Sequence, residues 1–122
     1  MNFPWSIAFL PDGGYLVALR SGQVQRLDAT GQSARTLEGL PESYVLSQGG
    51  YFDITLDPEF AINQRIYLSL AHGTPDANGT RIVRGTLNGS RVEDLTPIFT
   101  VSPLKDTPVH YGGKMQFLPD GT

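Results

Sequence analysis

Two histidines, one glutamine and a short run of acids are the side chains of this sequence best suited to chemistry. His110 stands in Pro108-Val109-His110-Tyr111-Gly112-Gly113-Lys114, between a proline-bearing loop and a new apolar stretch. A neutral imidazole accepts a proton from a substrate hydroxyl near neutral pH, which makes histidine the commonest general base. The paired glycines after it let backbone or ligand come close, as at the floor of a pocket. A hydrogen-bonded structural histidine in a loop meets the same description, so spacing alone leaves both roles open. Gln48, in Leu46-Ser47-Gln48-Gly49-Gly50, places an amide at the head of a strand. It could serve a ligand as donor and acceptor, or satisfy local backbone groups. His72, in Leu70-Ala71-His72-Gly73-Thr74-Pro75, reads as a surface or structural residue at a strand end entering a polar loop. Asp53, Asp57 and Glu59 lack the spacing of a calcium loop and alternate along a strand, so they read as exposed acids and no metal site is assigned. The sequence contains no P-loop, no Gly-x-Gly-x-x-Gly and no Gly-x-Ser-x-Gly.

The elements that would hold these side chains are short strands arranged as a repeat. Phe9-Leu10-Pro11-Asp12-Gly13 recurs as Phe117-Leu118-Pro119-Asp120-Gly121, and Ile54-Thr55-Leu56-Asp57-Pro58-Glu59 is a degenerate copy between them. Proline fixes φ at the start of a turn and Asp-Gly accepts positive φ, so each copy reads as a strand entering a tight turn. The interval between copies suits a four-stranded propeller blade with loop insertions. One blade is expected over about residues 5–37. A second, over about 51–100, uses Tyr51 to Asp57, Arg65 to Ala71, Thr80 to Leu87 and Arg91 to Thr100. Asn88-Gly89 is a hairpin signal between its last two strands. Asn78-Gly79-Thr80 and Asn88-Gly89-Ser90 match glycosylation sequons, but both are explained as hairpin turns. A third blade starts at about 113–122 with a strand over Gly113 to Leu118. Two blades and one strand leave an open sheet edge, so the sequence is expected to be a portion of a ring that is not stable alone. No amphipathic helix of useful length is predicted.

Composition narrows the partners. The chain has 122 residues, 39% of them hydrophobic and 17% charged, which suits a folded domain with a buried core. A net charge of −3 with its nine cations scattered argues against nucleic acid. No stretch is long and apolar enough for a membrane span, and the first residues lack the pattern of a signal peptide. Cysteine is absent, which removes disulfides and thiolate metal sites. A small-molecule partner is the class that remains.

Four stretches resemble the soluble pyrroloquinoline quinone (PQQ) dependent sugar dehydrogenases, the glucose/sorbosone dehydrogenase family, and in particular its aldose sugar dehydrogenase branch. They are Pro4 to Gly13, Gln48 to Phe60, Asn63 to Leu70 and His110 to Gly121, in the family's order and spanning essentially the whole chain. The resemblance implies an all-β fold, a six-bladed β-propeller of which this chain holds about two four-stranded antiparallel blades and the first strand of a third. It implies that His110 is the general base and that Gln48 lines the cofactor pocket. It further implies oxidation of an aldose at the anomeric hydroxyl, with hydride passing to PQQ and electrons to a further acceptor. Calcium ligands and the cationic PQQ contacts would lie outside this chain, and the protein would be exported, to the periplasm or beyond. Glucose-oxidising members carry an acid immediately before the histidine, so Val109 speaks against glucose itself. Lys114 stands where arginine is common and is assigned no role. Two other classes share the architecture: a non-catalytic propeller that binds a partner, and a calcium-dependent hydrolase of the sugar lactonase kind.

Overall fold

The computed structural model describes residues 2–122. Strands β1 (Pro4–Phe9), β2 (Tyr15–Leu19), β3 (Gln23–Leu27) and β4 (Ala34–Thr36) form one antiparallel four-stranded sheet in sequential order. β5 (Tyr51–Leu56), β6 (Arg65–Thr74), β7 (Ala77–Asn88) and β8 (Arg91–Thr100) form a second in the same order. The one helix among the described residues is a single turn, α1 (Phe60–Asn63), closed by Gln64 in the left-handed region.

The repeat seen in the sequence is a repeat of hydrogen bonds. In the first copy Gly13 N–H donates to the Leu10 carbonyl at 3.0 Å, and Gly14 N–H donates to the Asp12 carboxylate at 2.9 Å. In the last, Gly121 N–H donates to Leu118 at 2.9 Å and Thr122 N–H to Asp120 at 3.1 Å. The left-handed φ values of Gly13 and Gly121, 86° and 85°, are why glycine ends both turns. The middle copy keeps the same turn bond, Phe60 N–H donating to the Asp57 carbonyl at 2.9 Å, but its side-chain bond comes from the acid before the proline, Asp57 accepting Glu59 N–H at 2.9 Å, and the chain runs on into α1.

Both sheets contribute to one core. Leu16, Ala18 and Val24 of the first sheet pack with Tyr51, Ile54, Leu68, Leu70 and Val83 of the second, and Phe60 adds the buried side of α1. The alternate residues of β2, Val17 and Leu19, join Leu27 on the opposite face. β2 is therefore buried on both sides, as an interior strand of a stack of sheets must be. Beyond the sheets, Glu38 pairs with Arg91, its N–H donating to the Ser90 carbonyl at 2.9 Å, and joins the end of the first sheet to the edge of the second.

Three expectations need correction. The β6–β7 hairpin runs to Thr74↔Ala77, so His72 and Asn78-Gly79 lie within a ladder, as His72↔Gly79 and Gly73↔Asn78, and not at a strand end or in a turn. The longer ladder leaves only Pro75-Asp76 to make the turn. At the next hairpin the turn is Gly89-Ser90, flanked by Asn88↔Arg91, with positive φ at Gly89 and not at Asn88. Glycine first in a two-residue loop matches the twist of the strands as well as Asn-Gly does. Finally, residues 113–118 take part in no ladder among the described residues. A ladder needs a neighbour on a hydrogen-bonding edge, and these residues instead pack by side chains on the second sheet, with Phe117 edge-on to Tyr67 at 5.2 Å. Burial still alternates from Tyr111 to Leu118, the period of a strand.

Candidate active site

Gln48 and His110 are 62 residues apart in sequence and touch in space: Gln48 Oε1 accepts the backbone N–H of His110 at 2.9 Å. The two loops are tied a second time, Gln48 N–H donating to the Pro108 carbonyl at 3.2 Å. The contact is flanked by unusual backbone. Ser47 and His110 have φ of 53° and 62°, a region that non-glycine residues enter only when their surroundings hold them there. Gly49 and Gly50 explain how the Gln48 loop fits, because a Cβ on Gly50 would lie 1.9 Å from the Arg20 carbonyl oxygen. The His110 imidazole is exposed and makes no hydrogen bond among the described residues, so its ring nitrogens are open to a ligand. The amide nitrogen of Gln48 is free in the same sense.

Beside this pair lies a cleft of about 460 Å³, within the range that holds small molecules, lined by Trp5, Phe52, Tyr111, Asp53 and Lys114 as well as Gln48. Phe52 stands between Trp5 and Tyr111, with ring centroids 6.5 and 5.3 Å away. Gly113 allows the His110 segment to lie against this wall, for a Cβ there would be 2.7 Å from Cβ of Phe52. Tyr111 is fixed from behind, its hydroxyl donating to Asn78 Oδ1, which also accepts Lys105 Nζ at 2.9 Å. The Lys105 ammonium sits 3.5 Å from the centre of the Tyr111 ring. Desolvation lowers the pKa of Lys105 and raises that of Tyr111.

Of the three acids expected to be exposed, Asp57 is half-buried, Glu59 is exposed and Asp53 is buried, at 3% exposure. Asp53 accepts the Ser6 hydroxyl, the Met115 N–H at 2.8 Å and the Lys114 ammonium at 3.1 Å. Lys114, assigned no role from sequence, is thus the ionic partner of a buried carboxylate while its own side chain remains 83% exposed. Asp57 serves its turn: burial alone would raise its pKa, but hydrogen bonds from Asn63, Glu59 and Tyr67 outweigh it and hold the carboxyl below the usual range. No three acids or histidines converge as a metal site among the described residues. His72 is half-buried and touches neither Gln48 nor His110; burial and then Arg81 lower its pKa. Asn78, whose sequon was explained as a turn, is fully buried, with Nδ2 donating to the Thr74 and Pro75 carbonyls.

Comparison with known proteins identifies the family and the fold. An aldose sugar dehydrogenase of Escherichia coli is 36% identical over 121 residues, covering 96% of this chain and 33% of the relative. A solved glucose dehydrogenase covers 99% of the chain at a TM-score of 0.93 and 32% identity, over 36% of its own length. The PQQ-bound form of an aldose sugar dehydrogenase from Streptomyces coelicolor gives a TM-score of 0.84 at 28% identity, covering 99% of the chain and 36% of its own length. The chain spans about a third of the length of the curated relatives it matches. Its two sheets are blades of the same propeller fold. Because the glucose/sorbosone dehydrogenase model matches residues 1–122, the chain belongs to that family.

Proposed function

We propose that the protein containing this chain is a PQQ-dependent dehydrogenase that oxidises aldoses at the anomeric hydroxyl, with His110 as general base. The observation that carries this reading is the Gln48–His110 hydrogen bond, which ties the backbone of an exposed histidine to a residue lining the cleft; His110 itself is not among the lining residues, but its neighbour Tyr111 is. In the neutral form the imidazole takes the hydroxyl proton as the C–H bond of the anomeric carbon is broken. Loss of that proton assists departure of hydride, so base and sugar must be held together. PQQ, when bound, supplies the two-electron acceptor for the hydride.

The residues present fit a flat, carboxylate-bearing quinone in part. Gln48 offers a free amide nitrogen, and the exposed face of Trp5 and the Phe52–Tyr111 wall offer apolar surface. The Lys114 charge is balanced by Asp53, and Arg20 donates to the Ser47 carbonyl at 3.0 Å. Further cations, and the calcium the family resemblance implies, would come from the rest of the protein, which on the same resemblance is exported. Gln48 holds the His110 backbone through its oxygen and would orient cofactor or sugar through its nitrogen.

The test uses full-length protein supplied with PQQ, calcium, an aldose and an artificial electron acceptor. His110→Ala should lower turnover on the order of 10² or more while PQQ still binds, the loss typical of a missing general base. Undiminished turnover would overturn the assignment.

A further inference from the structure

Asp53 occupies the seam where three stretches of chain meet. Its carboxylate accepts the hydroxyl of Ser6, which belongs to β1 and is 47 residues away. From the other side it accepts Met115 N–H at 2.8 Å and Lys114 Nζ at 3.1 and 3.3 Å. Its own N–H donates at 2.9 Å to Ser69 Oγ, and that hydroxyl in turn donates to the Gly113 carbonyl. Residues 113, 114 and 115 are therefore each held by Asp53 or by a group hydrogen-bonded to it. Upstream, Thr80 Oγ1 donates to the Gly112 carbonyl at 2.6 Å and Gln48 accepts from His110.

The segment that carries His110 has no ladder of its own, so side chains do the work that strand pairing does elsewhere. A buried carboxylate is a poor choice for stability alone, since a well-packed apolar residue serves as well or better. It is a good choice for fixing a direction, because a charge-assisted hydrogen bond tolerates little misplacement of its donors. Each donor to Asp53 comes from a different residue of a site that must be assembled from distant parts of the chain.

We propose that Asp53 is a positioning residue: by gripping residues 113–115 against β5 and β1 it fixes the segment that carries His110 beside the cleft. This rests on the reading of His110 as the base. Asp53 itself touches no reacting atom in this account and acts through the segment.

Asp53→Asn in the full-length, PQQ-loaded protein keeps the shape and removes the charge. The expected result is a fall in kcat of about 10- to 100-fold, the scale of a misplacement near 1 Å, a loss larger than any accompanying change in KM. Amide exchange of a peptide covering 110–116 should quicken about tenfold or more, and peptides of β6 and β7 should not change. Ser69→Ala, which cuts the link to Gly113, should shift both readouts in the same direction. It decides the matter if Asp53→Asn fails to fold. Asp12→Asn, at a turn acid bound to Arg26 and Gly14, should alter neither. Wild-type kcat in folded Asp53→Asn, or exchange at 110–116 that does not move, would overturn the proposal. The two readings fail separately: full activity in His110→Ala would remove the base and leave the exchange result standing.

Discussion

Gly113 is where the His110 segment comes closest to the aromatic wall, and adding one methyl there tests how tightly the site is assembled. The Cβ of an alanine would lie 2.7 Å from Cβ of Phe52, 2.8 Å from Cδ2 and 2.9 Å from Cγ. Carbon atoms rest at about 3.5–4.0 Å, so the two groups must part by about 0.8 Å or more. Phe52 is 4% exposed and flanked by Trp5 and Tyr111, which leaves it little room to yield. Gly113 does not have a left-handed φ, so the contact and not backbone strain is the cost. Overpacking of this kind destabilises by about 1–3 kcal/mol, and a displacement approaching 1 Å, carried to His110, costs about 10²-fold in rate. The assay is kcat/KM with an aldose and an artificial acceptor, beside urea denaturation of the same protein. Gly112→Ala is the comparison, since its Cβ would meet nothing within 4 Å; its stability should stay within about 0.5 kcal/mol of the parent. If Gly113→Ala matches Gly112→Ala in stability and retains full activity, the close packing of segment and wall is not what aligns the site.

Two further outcomes follow from buried polar groups. Asn78→Ala removes the acceptor of the Tyr111 hydroxyl and the Lys105 ammonium, which should lower stability by about 2–3 kcal/mol; an unchanged denaturation midpoint would show that water replaces it freely. His72 has its pKa pushed below the ordinary 6.5 by burial, then by Arg81. The unfolded chain then holds the proton more tightly than the folded one, so stability is undiminished above about pH 6.5 and falls as pH drops below it. His72→Gln should flatten that part of a stability-against-pH curve, and an unaltered slope would show that the dependence arises elsewhere.

The pattern of strands was legible because short alternating segments and turn residues are local signals, and the eight strands form the two four-stranded antiparallel sheets those signals suggest. Gln48 and His110 were legible as a pair only through the family's motifs; nothing in their spacing tells that one amide oxygen reaches the other's backbone. Asp53 was misread for a physical reason. Tyr51-Phe52-Asp53-Ile54 looks like alternation with an outward acid, but β5 is buried on both faces at these four residues, and its register with β6 shifts between Tyr51 and Ile54. A polar residue inside a strand buried on both sides must be hydrogen-bonded, and its partners, Ser6 and residues 114–115, are distant in sequence. Asn78 was misplaced because Asn-Gly is a strong turn signal, yet the β6–β7 ladder outlasts it and the turn falls to Pro75-Asp76. An acid within an otherwise apolar strand is the sequence cue that would have drawn attention to Asp53; β7, with Arg81 and Arg84, offers no such cue for Asn78.

The claim at the centre of the account is that the His110 ring accepts the substrate's proton, and a replacement base tests it most directly. Turnover of full-length His110→Ala, loaded with PQQ and saturated with an aldose, should rise with added imidazole and follow the unprotonated fraction of that imidazole as pH is varied. Turnover that starts at the parent's level and ignores imidazole at every pH would contradict it.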